Sequence, residues 1–160
     1  MKIGLISDTH GLLRPEVFRA LEGVDHILHA GDVGDAEILV ELRAIAPVTA
    51  VWGNTDGWEI RDRLPEIARL ELDGRSLVVI HGHQLGSPTP AALGEAYPQA
   101  ALVVFGHTHQ PVIDRVGGVL AVNPGSAGPC RFSLPVSVAI AEAAAGEPLG
   151  TRLLHLLPPR

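Results

Sequence analysis

Short apolar runs alternate with segments of helical spacing in the first third of the chain. Apolar residues recur with the period of one helical face after Pro15, a residue that is tolerated in the first turn of a helix. A second segment with this period runs from Asp35, a residue suited to capping a helix, to about Ala44. The apolar runs around these helices predict strands at residues 2–7, 25–30 and 47–52.

Hairpins dominate the remainder of the chain. Asp73-Gly74 and Gly117-Gly118 are dipeptides that suit tight turns between antiparallel strands. Because helices alternate with strands early while hairpins dominate late, we expect an α/β sandwich with mixed sheets, formed by residues 1–160 as one domain. The later elements are predicted as strands at 69–72, 76–80, 101–105, 112–116, 119–122, 136–142 and 151–156, and as one short helix at 89–97.

Composition and charge restrict the classes of partner. The formal net charge of −6, with no cluster among the 12 basic residues, argues against a surface for duplex nucleic acid. No apolar run approaches the roughly 20 residues that a membrane span requires, and the first residues do not read as a signal peptide. The single Cys130 cannot form an internal disulfide, which agrees with a reducing compartment. We therefore expect a cytoplasmic protein that binds neither a membrane nor duplex nucleic acid.

Polar side chains follow five of the predicted strands, at the point where each strand ends. The clearest case is the apolar run 103–105, which is followed by Gly106 and then by His107 and His109. Taken singly, such histidines are typical of hydrogen-bonded loops or of a protein core. The carboxyl ends of strands in an open α/β sheet converge, however, so we expect the whole set to form one site. The set comprises Asp8, His10, Asp32, Asn54, His81, His107 and His109.

These side chains have the chemistry of a metal centre. Carboxylates and imidazoles are ligands for Mn²⁺, Fe²⁺, Ni²⁺ or Zn²⁺, and the absence of thiolates argues against an iron–sulfur cluster or a structural zinc site. Seven ligands exceed the needs of one ion and suit two ions that share a carboxylate. Asp32 is the best bridging candidate because it occupies a tight corner after Gly31. One ion then takes Asp8, His10 and His109, and the other takes Asn54, His81 and His107.

Five short blocks of the sequence contain these ligands: Asp8-Thr9-His10, Gly31-Asp32, Gly53-Asn54, His81-Gly82-His83 and Gly106-His107-Thr108-His109. They resemble the five blocks of the calcineurin-like metallophosphoesterase superfamily. Their order and the lack of large insertions resemble its small single-domain phosphodiesterase branch, as does the run Asn123-Pro124-Gly125-Ser126. The resemblance implies a four-layer α/β/β/α sandwich and the ligand partition given above. It also implies two divalent metal ions, usually Mn²⁺, with Ni²⁺, Fe²⁺ or Zn²⁺ as alternatives.

One position departs from the family pattern. In many members the residue after the loop asparagine is a histidine that donates a proton to the leaving oxygen, and Thr55 stands at that position here. A threonine hydroxyl cannot act as a general acid near neutral pH, so esters with good leaving groups should react best. Thr55 can still hydrogen-bond a phosphoryl oxygen, whereas Asp56 and His83 either orient a ligand, relay a proton or have a structural role. The candidate catalytic residues are Asp32, Asn54, Thr55, Asp56 and His83.

The resemblance implies a hydrolase. In the expected mechanism, two ions roughly 3.5 to 4 Å apart hold a hydroxide that attacks the phosphorus in line, without a covalent phosphoenzyme. The expected partner is a small phosphodiester substrate; the alternatives are a phosphomonoesterase, a nucleotide pyrophosphatase, or a non-catalytic scaffold like the retromer subunit of vacuolar sorting, which shares the fold. Specificity is expected from surrounding loops, including residues 58–63, where Trp58 either stacks on a base or packs over the cleft edge. The sequence leaves a homo-oligomer open.

Overall fold

Within residues 1–158, which a computed structural model describes, the framework is a pair of mixed five-stranded sheets. Residues 159–160, which end the predicted domain 1–160, lie outside the described residues. The first sheet consists of β1 (Lys2–Ile6), β2 (His26–His29), β3 (Val48–Ala50), β9 (Ser137–Glu142) and β10 (Gly150–His155). Their order across the sheet is β10-β9-β1-β2-β3, with β1, β2 and β3 parallel and the other two strands antiparallel to their neighbours.

The second sheet has a parallel centre and two antiparallel edges. It consists of β4 (Ile67–Leu72), β5 (Arg75–Ile80), β6 (Leu102–Val104), β7 (Val112–Val116) and β8 (Val119–Asn123). Their order is β4-β5-β6-β8-β7, in which β5, β6 and β8 are parallel. The predicted hairpins join the edge strands to their neighbours, and the turn at Asp73 and Gly74 has φ values of 53° and 74°, as a tight hairpin turn requires. Both sheets mix parallel and antiparallel pairs, which confirms the predicted fold class.

Four short α-helices accompany the sheets in the described residues: α1 (Pro15–Ala20), α2 (Glu37–Arg43), α3 (Trp58–Arg63) and α4 (Pro90–Ala96). A 3₁₀ turn spans His83–Leu85. Helix α2 begins two residues after the predicted cap Asp35, whose Oδ1 accepts a hydrogen bond from the N–H of Glu37 at 2.9 Å. Helix α3 corrects the loop that we predicted at residues 58–63. Only one of its side chains, Ile60, is buried, so the sequence carries no helical period there.

Clusters of buried apolar side chains separate four layers of the described chain. One cluster joins the first sheet to α1 and α2, through residues such as Val17 and Leu42. A second cluster fills the space between the two sheets and includes Leu5 and Leu102. A third packs α4, through Leu93, on the outer face of the second sheet. The layers are therefore helices, sheet, sheet and helix, which is the implied α/β/β/α sandwich.

The loops that follow the parallel strands meet at one end of the sandwich. In the first sheet, the N–H of Asp8 donates to the carbonyl of Gly31 at 3.0 Å, and in the second the N–H of Gly106 donates to the carbonyl of His81 at 3.0 Å. Across the sheets, the N–H of His107 donates to Asp8 Oδ2 at 3.2 Å. Polar loops of both sheets therefore share one site.

None of the helices within residues 1–158 has the length and apolar character needed to cross a bilayer.

Candidate metal centre

The seven predicted ligands follow parallel strands and face one another across the two sheets. Six of them form a continuous group in which neighbouring side-chain atoms lie no more than 3.9 Å apart. The seventh, His107, places its ring centroid 5.2 Å from that of His81. The six directly connected residues are Asp8, His10, Asp32, Asn54, His81 and His109.

One carboxylate oxygen and two imidazole nitrogens form the more buried half of the site. Asp8 Oδ1 lies 3.2 Å from His109 Nε2 and 3.7 Å from His10 Nε2. The two Nε2 atoms are 3.2 Å apart. Three ligand atoms at this mutual spacing could hold one metal ion.

The second half of the site is built around His81. Its Nδ1 lies 2.7 Å from the carbonyl oxygen of Ala30, which fixes the Nδ1–H tautomer and leaves the Nε2 lone pair for the site. His81 Nε2 lies 3.2 Å from Asp32 Oδ2 and 3.1 Å from Asn54 Oδ1. Asp32 Oδ2 is also 3.7 Å from His10 Nε2, so this oxygen lies between the two halves. An oxygen in this position could be shared by two cations, as could Asp8 Oδ1, which lies 3.9 Å from His81 Nε2.

The hydrogen bonding of the Asp8 carboxylate indicates whether the site suits a cation. Its Oδ2 accepts hydrogen bonds from Ser7 Oγ at 2.7 Å and from the N–H of His107 at 3.2 Å. Its Oδ1 is buried and has no hydrogen-bond partner within residues 1–158, although it faces three imidazole Nε2 atoms. A buried anionic oxygen is costly unless a positive charge compensates it. The donor set therefore fits a divalent cation.

Both carboxylates of the site are ionised. Burial opposes the ionisation of Asp8, but the adjacent imidazoles of His10 and His109 hold the pKa of this carboxyl well below its usual range. Burial likewise acts to raise the pKa of Asp32, but His81 and the N–H of Thr55 lower it to about 2. In turn, burial acts to lower the pKa of His81, but the carboxylates of Asp32 and Asp8 raise it. Two negative charges are therefore concentrated among imidazole side chains at neutral pH.

Strained backbone geometry is concentrated at the ligands. Seven residues other than glycine have a positive φ in the described chain, and five of them are predicted ligands. Such conformations cost on the order of 1 kcal/mol or more and persist where the surroundings enforce them, most often at functional sites. The five are Asp8 (54°), His10 (46°), Asp32 (51°), His107 (73°) and His109 (60°).

The run 123–126, whose contacts the sequence did not predict, ties two ligand loops together. Asn123 Nδ2 donates to the carbonyl of Gly106 at 3.1 Å and to Thr108 Oγ1 at 3.0 Å. Ser126 Oγ donates to the carbonyl of Asp8 at 2.9 Å. The sequence does carry a signal for this role: a polar run directly follows the buried strand β8, which is the same pattern that identified the candidate ligands.

Asp56 joins the loop of Asp32 to the loop of Asn54. Its carboxylate accepts backbone hydrogen bonds from Val33 at 3.1 Å, from Gly34 at 2.9 Å and from Gly53 at 2.9 Å. Both of its oxygens therefore face backbone N–H groups. The sequence left both a structural and a catalytic role open for Asp56. These contacts correspond to the structural role.

The remaining candidates surround the site. The N–H of Thr55 donates to Asp32 Oδ1 at 2.9 Å, and its side chain is exposed. The half-buried ring of His83 lies 5.4 Å from that of His81 and 6.4 Å from that of His107, and burial lowers its pKa. Trp58 is 72% exposed at the start of α3, so little of its ring packs against the described chain.

A comparison with known proteins places these observations in context. Residues 1–146 match the family model described as the calcineurin-like phosphoesterase superfamily domain. A probable metallophosphoesterase of Methanocaldococcus jannaschii is 39% identical over 134 aligned positions, which cover 79% of this chain and 68% of the relative. A phosphodiesterase of the same organism is 31% identical over 142 positions, covering 78% of this chain and 83% of the relative.

Solved structures show the same fold. Wild-type Vps29 of Entamoeba histolytica, crystallised in complex with Zn²⁺, has a TM-score of 0.78 and covers 98% of this chain and 100% of its own. Its sequence identity of 24% limits this likeness to the fold. The likeness confirms the four-layer arrangement that the resemblance implied.

The tight packing around Gly106 generates a first prediction. A Cβ atom at this position would lie 2.1 Å from Ser7 Oγ and 2.5 Å from Asp8 Oδ2. We expect Gly106→Ala to displace the Asp8 carboxylate, to destabilise the fold by about 1–3 kcal/mol and to weaken Mn²⁺ binding about 10–100-fold. Isothermal titration calorimetry and thermal unfolding measure the two effects.

Gly118→Ala is the matched control, because a Cβ atom there meets no heavy atom within 4 Å. It should bind Mn²⁺ as the wild-type chain does. Equal metal affinity in both variants would show that Asp8 does not depend on the contact with Gly106.

A second prediction concerns the pH dependence of stability. His29 is fully buried, with Nδ1 accepting the N–H of Gly31 at 3.2 Å and Nε2 lying 3.0 Å from Thr9 Oγ1. Burial lowers the pKa of His29 from 6.5 to about 4. The unfolded chain therefore takes up a proton before the folded chain does, so stability falls as the pH drops from 6.5 towards 4. The loss attributable to His29 reaches about 3 kcal/mol below pH 4.

Urea unfolding at several pH values, with a chelator present throughout, measures this loss. His29→Gln has no group that titrates in this range, and its stability should depend less steeply on pH than that of the wild-type chain. Parallel pH profiles for the two proteins would contradict the assignment to His29.

Proposed function

The chain belongs to the calcineurin-like phosphoesterase superfamily, and we propose that it hydrolyses a small phosphodiester at a centre of two divalent metal ions. The observation that carries the proposal is the buried Asp8 Oδ1, which has no hydrogen-bond partner within residues 1–158 and faces three imidazole nitrogens. The 31% identical phosphodiesterase of Methanocaldococcus jannaschii supports the substrate class.

We assign the residues to the proposed ions as the sequence analysis predicted. Asp8, His10 and His109 would hold one ion; Asn54, His81 and His107 would hold the other; Asp32 would be shared. Mn²⁺ is our first choice, and Ni²⁺, Fe²⁺ or Zn²⁺ suit the same mixed nitrogen and oxygen donors. When bound, such a pair of ions supplies an activated water and withdraws charge from the phosphoryl oxygens.

Charge explains how an acidic chain could attract a phosphate ester. The carboxylates of Asp8 and Asp32 contribute −2 and two divalent ions +4, which gives a net +2 at the site of a chain with a formal charge of −6. The loaded site therefore attracts an anion, whereas the rest of the surface repels one. With no basic cluster in the sequence, a small ester is the proposed partner rather than duplex nucleic acid.

The leaving group limits the substrates. Asp56 uses its carboxylate oxygens on backbone N–H groups, and the exposed Thr55 hydroxyl is too weak an acid to protonate an alkoxide near neutral pH. Thr55 is placed to donate a hydrogen bond to a phosphoryl oxygen, and His83, beside His81, is the candidate that orients the substrate. Diesters with activated leaving groups should therefore react best.

A non-catalytic scaffold is the rival from another class, and the fold of Vps29 is compatible with it. A scaffold has no need for seven convergent ligands, five of which occupy strained backbone conformations. It likewise gains nothing from a buried carboxylate oxygen without a hydrogen-bond partner in the described chain. The site geometry therefore favours the enzyme.

Metal removal tests the proposal. Hydrolysis of bis(p-nitrophenyl) phosphate should disappear after treatment with a chelator and return with Mn²⁺, because the site cannot activate water without ions.

Asp32→Asn removes the shared negative charge and should lower kcat at least about 100-fold. The loss of a metal ligand should cost more than the loss of a residue that only hydrogen-bonds to a ligand. Asp62→Asn, an exposed position of α3, is the matched control and should retain wild-type activity.

Three results would redirect the proposal. Undiminished turnover by the metal-free chain would exclude a metal-dependent reaction. Faster hydrolysis of p-nitrophenyl phosphate, which has the same leaving group, would favour a phosphomonoesterase. Less than one bound ion per chain after Mn²⁺ supplementation would favour the scaffold.

The partition of ligands makes a separate prediction. His109→Ala should weaken the ion shared with Asp8 and His10, and His107→Ala should weaken the ion shared with Asn54 and His81. Anomalous scattering from crystals soaked in Mn²⁺ would locate the loss in each variant. His155→Ala, an exposed histidine at the end of β10, should keep both peaks. Loss of the same peak in both ligand variants would contradict the partition.

A further inference from the structure

Arg61, a residue of α3, contacts the loop that carries Asn54 at two points. Its Nε donates to the carbonyl oxygen of Asp56 at 2.7 Å, and its Nη2 donates to the carbonyl oxygen of Asn54 at 3.0 Å. The guanidinium thus spans the backbone on either side of Thr55. A planar group with several fixed donors is suited to hold two carbonyls at once.

The same guanidinium stacks on an aromatic ring beside the metal ligands. Its Cζ lies 4.4 Å from the ring centroid of Trp52. The Trp52 ring lies 5.4 Å from that of His83, which in turn lies 5.4 Å from that of His81. A series of ring contacts therefore connects Arg61 with His81, in addition to its hydrogen bonds on the Asn54 loop.

The Asn54 loop needs such support because it is the most exposed part of the site. Asn54 and Thr55 are exposed, whereas Asp8 and His109 are buried. The buried carboxylate of Asp56 accepts the N–H of Gly53, and the exposed Arg61 side chain donates to the carbonyls of Asn54 and Asp56. The amide of Asn54, whose Oδ1 lies 3.1 Å from His81 Nε2, is oriented by the backbone between these two attachments.

We propose that Arg61 is a positioning residue for one ion only, the ion that Asn54, His81 and His107 would hold. The inference rests on the proposed dinuclear function. The described contacts of Arg61 lead to the Asn54 loop and, through Trp52 and His83, to His81. Asp8, His10 and His109 are instead fixed by their own loops and by Ser7, Asn123 and Ser126. The shared Asp32 accepts the Thr55 N–H on Oδ1 at 2.9 Å, but its own loop is also fixed by the hydrogen bond from the His10 N–H to the Asp32 carbonyl at 2.9 Å, which does not involve Arg61. Loss of Arg61 therefore weakens one half of the centre and spares the other.

Titration of the metal-free chain with Mn²⁺, followed by calorimetry, tests the inference without any measurement of activity. The wild-type chain should show two binding events. Arg61→Met, which keeps an unbranched side chain but removes the donors and the stacking cation, should weaken one event about tenfold and leave the other unchanged. Arg61→Lys keeps the charge but loses the planar arrangement of donors that spans the two carbonyls, and should fall between the two. Arg63→Met, at an exposed position of the same helix, should match the wild-type chain.

A double-mutant cycle identifies the affected ion. In a His109→Ala background, Arg61→Met should still weaken the remaining event about tenfold, and in a His107→Ala background it should have little effect. Thermal unfolding of each metal-free variant reports whether the fold is retained, since a general loss of structure would weaken both events together.

The outcomes separate this inference from the proposed function. Two events in the wild-type chain and the same two affinities in Arg61→Met would overturn the role of Arg61 alone. Equal weakening of both events would show a general structural role and would also overturn it. A single event in the wild-type chain would overturn the dinuclear centre, and the inference with it.

Discussion

The burial of one carboxylate among imidazoles is the constraint on which the rest of the site depends. Asp8 has no solvent exposure, and its Oδ1 lies within 3.9 Å of three histidine nitrogens from three different loops. Such an arrangement is unfavourable for a folded chain by itself, because a buried charge must be compensated and five ligands adopt left-handed backbone conformations. The surrounding core and a bound cation are what would make it tolerable.

The groups that hold the ligands differ from the ligands themselves. Asp56 connects two loops through backbone hydrogen bonds, while Asn123 and Ser126 fix loops on the opposite side of the site. Close approach of backbones contributes as well, since a Cβ atom at Gly53 would lie 2.2 Å from Asp32 Oδ1. The precision of the centre therefore comes from contacts between loops rather than from any single motif.

The two halves of the centre are not equivalent. Asp8 and His109 are enclosed by the core, whereas Asn54 is exposed and His107 is half-buried. One half contains a full negative charge besides the shared Asp32, while the other relies on a neutral amide and two imidazoles. Coulomb attraction for a divalent ion would consequently be stronger in the first half, and binding in the second would depend more on the accurate placement of its ligands.

The sequence by itself predicted the seven candidate ligands, the mixed sheets and both hairpin turns, because strand periodicity, turn dipeptides and polar residues at strand ends are local signals. It did not reveal helix α3, whose single buried side chain leaves no period, nor the 72% exposure of Trp58. It also left open whether Asp56 was catalytic and gave no indication of Arg61. The contacts of both side chains were decided by the tertiary structure alone, because strand order places the Asp32 and Asn54 loops side by side, and only then do their backbone groups become partners for these side chains.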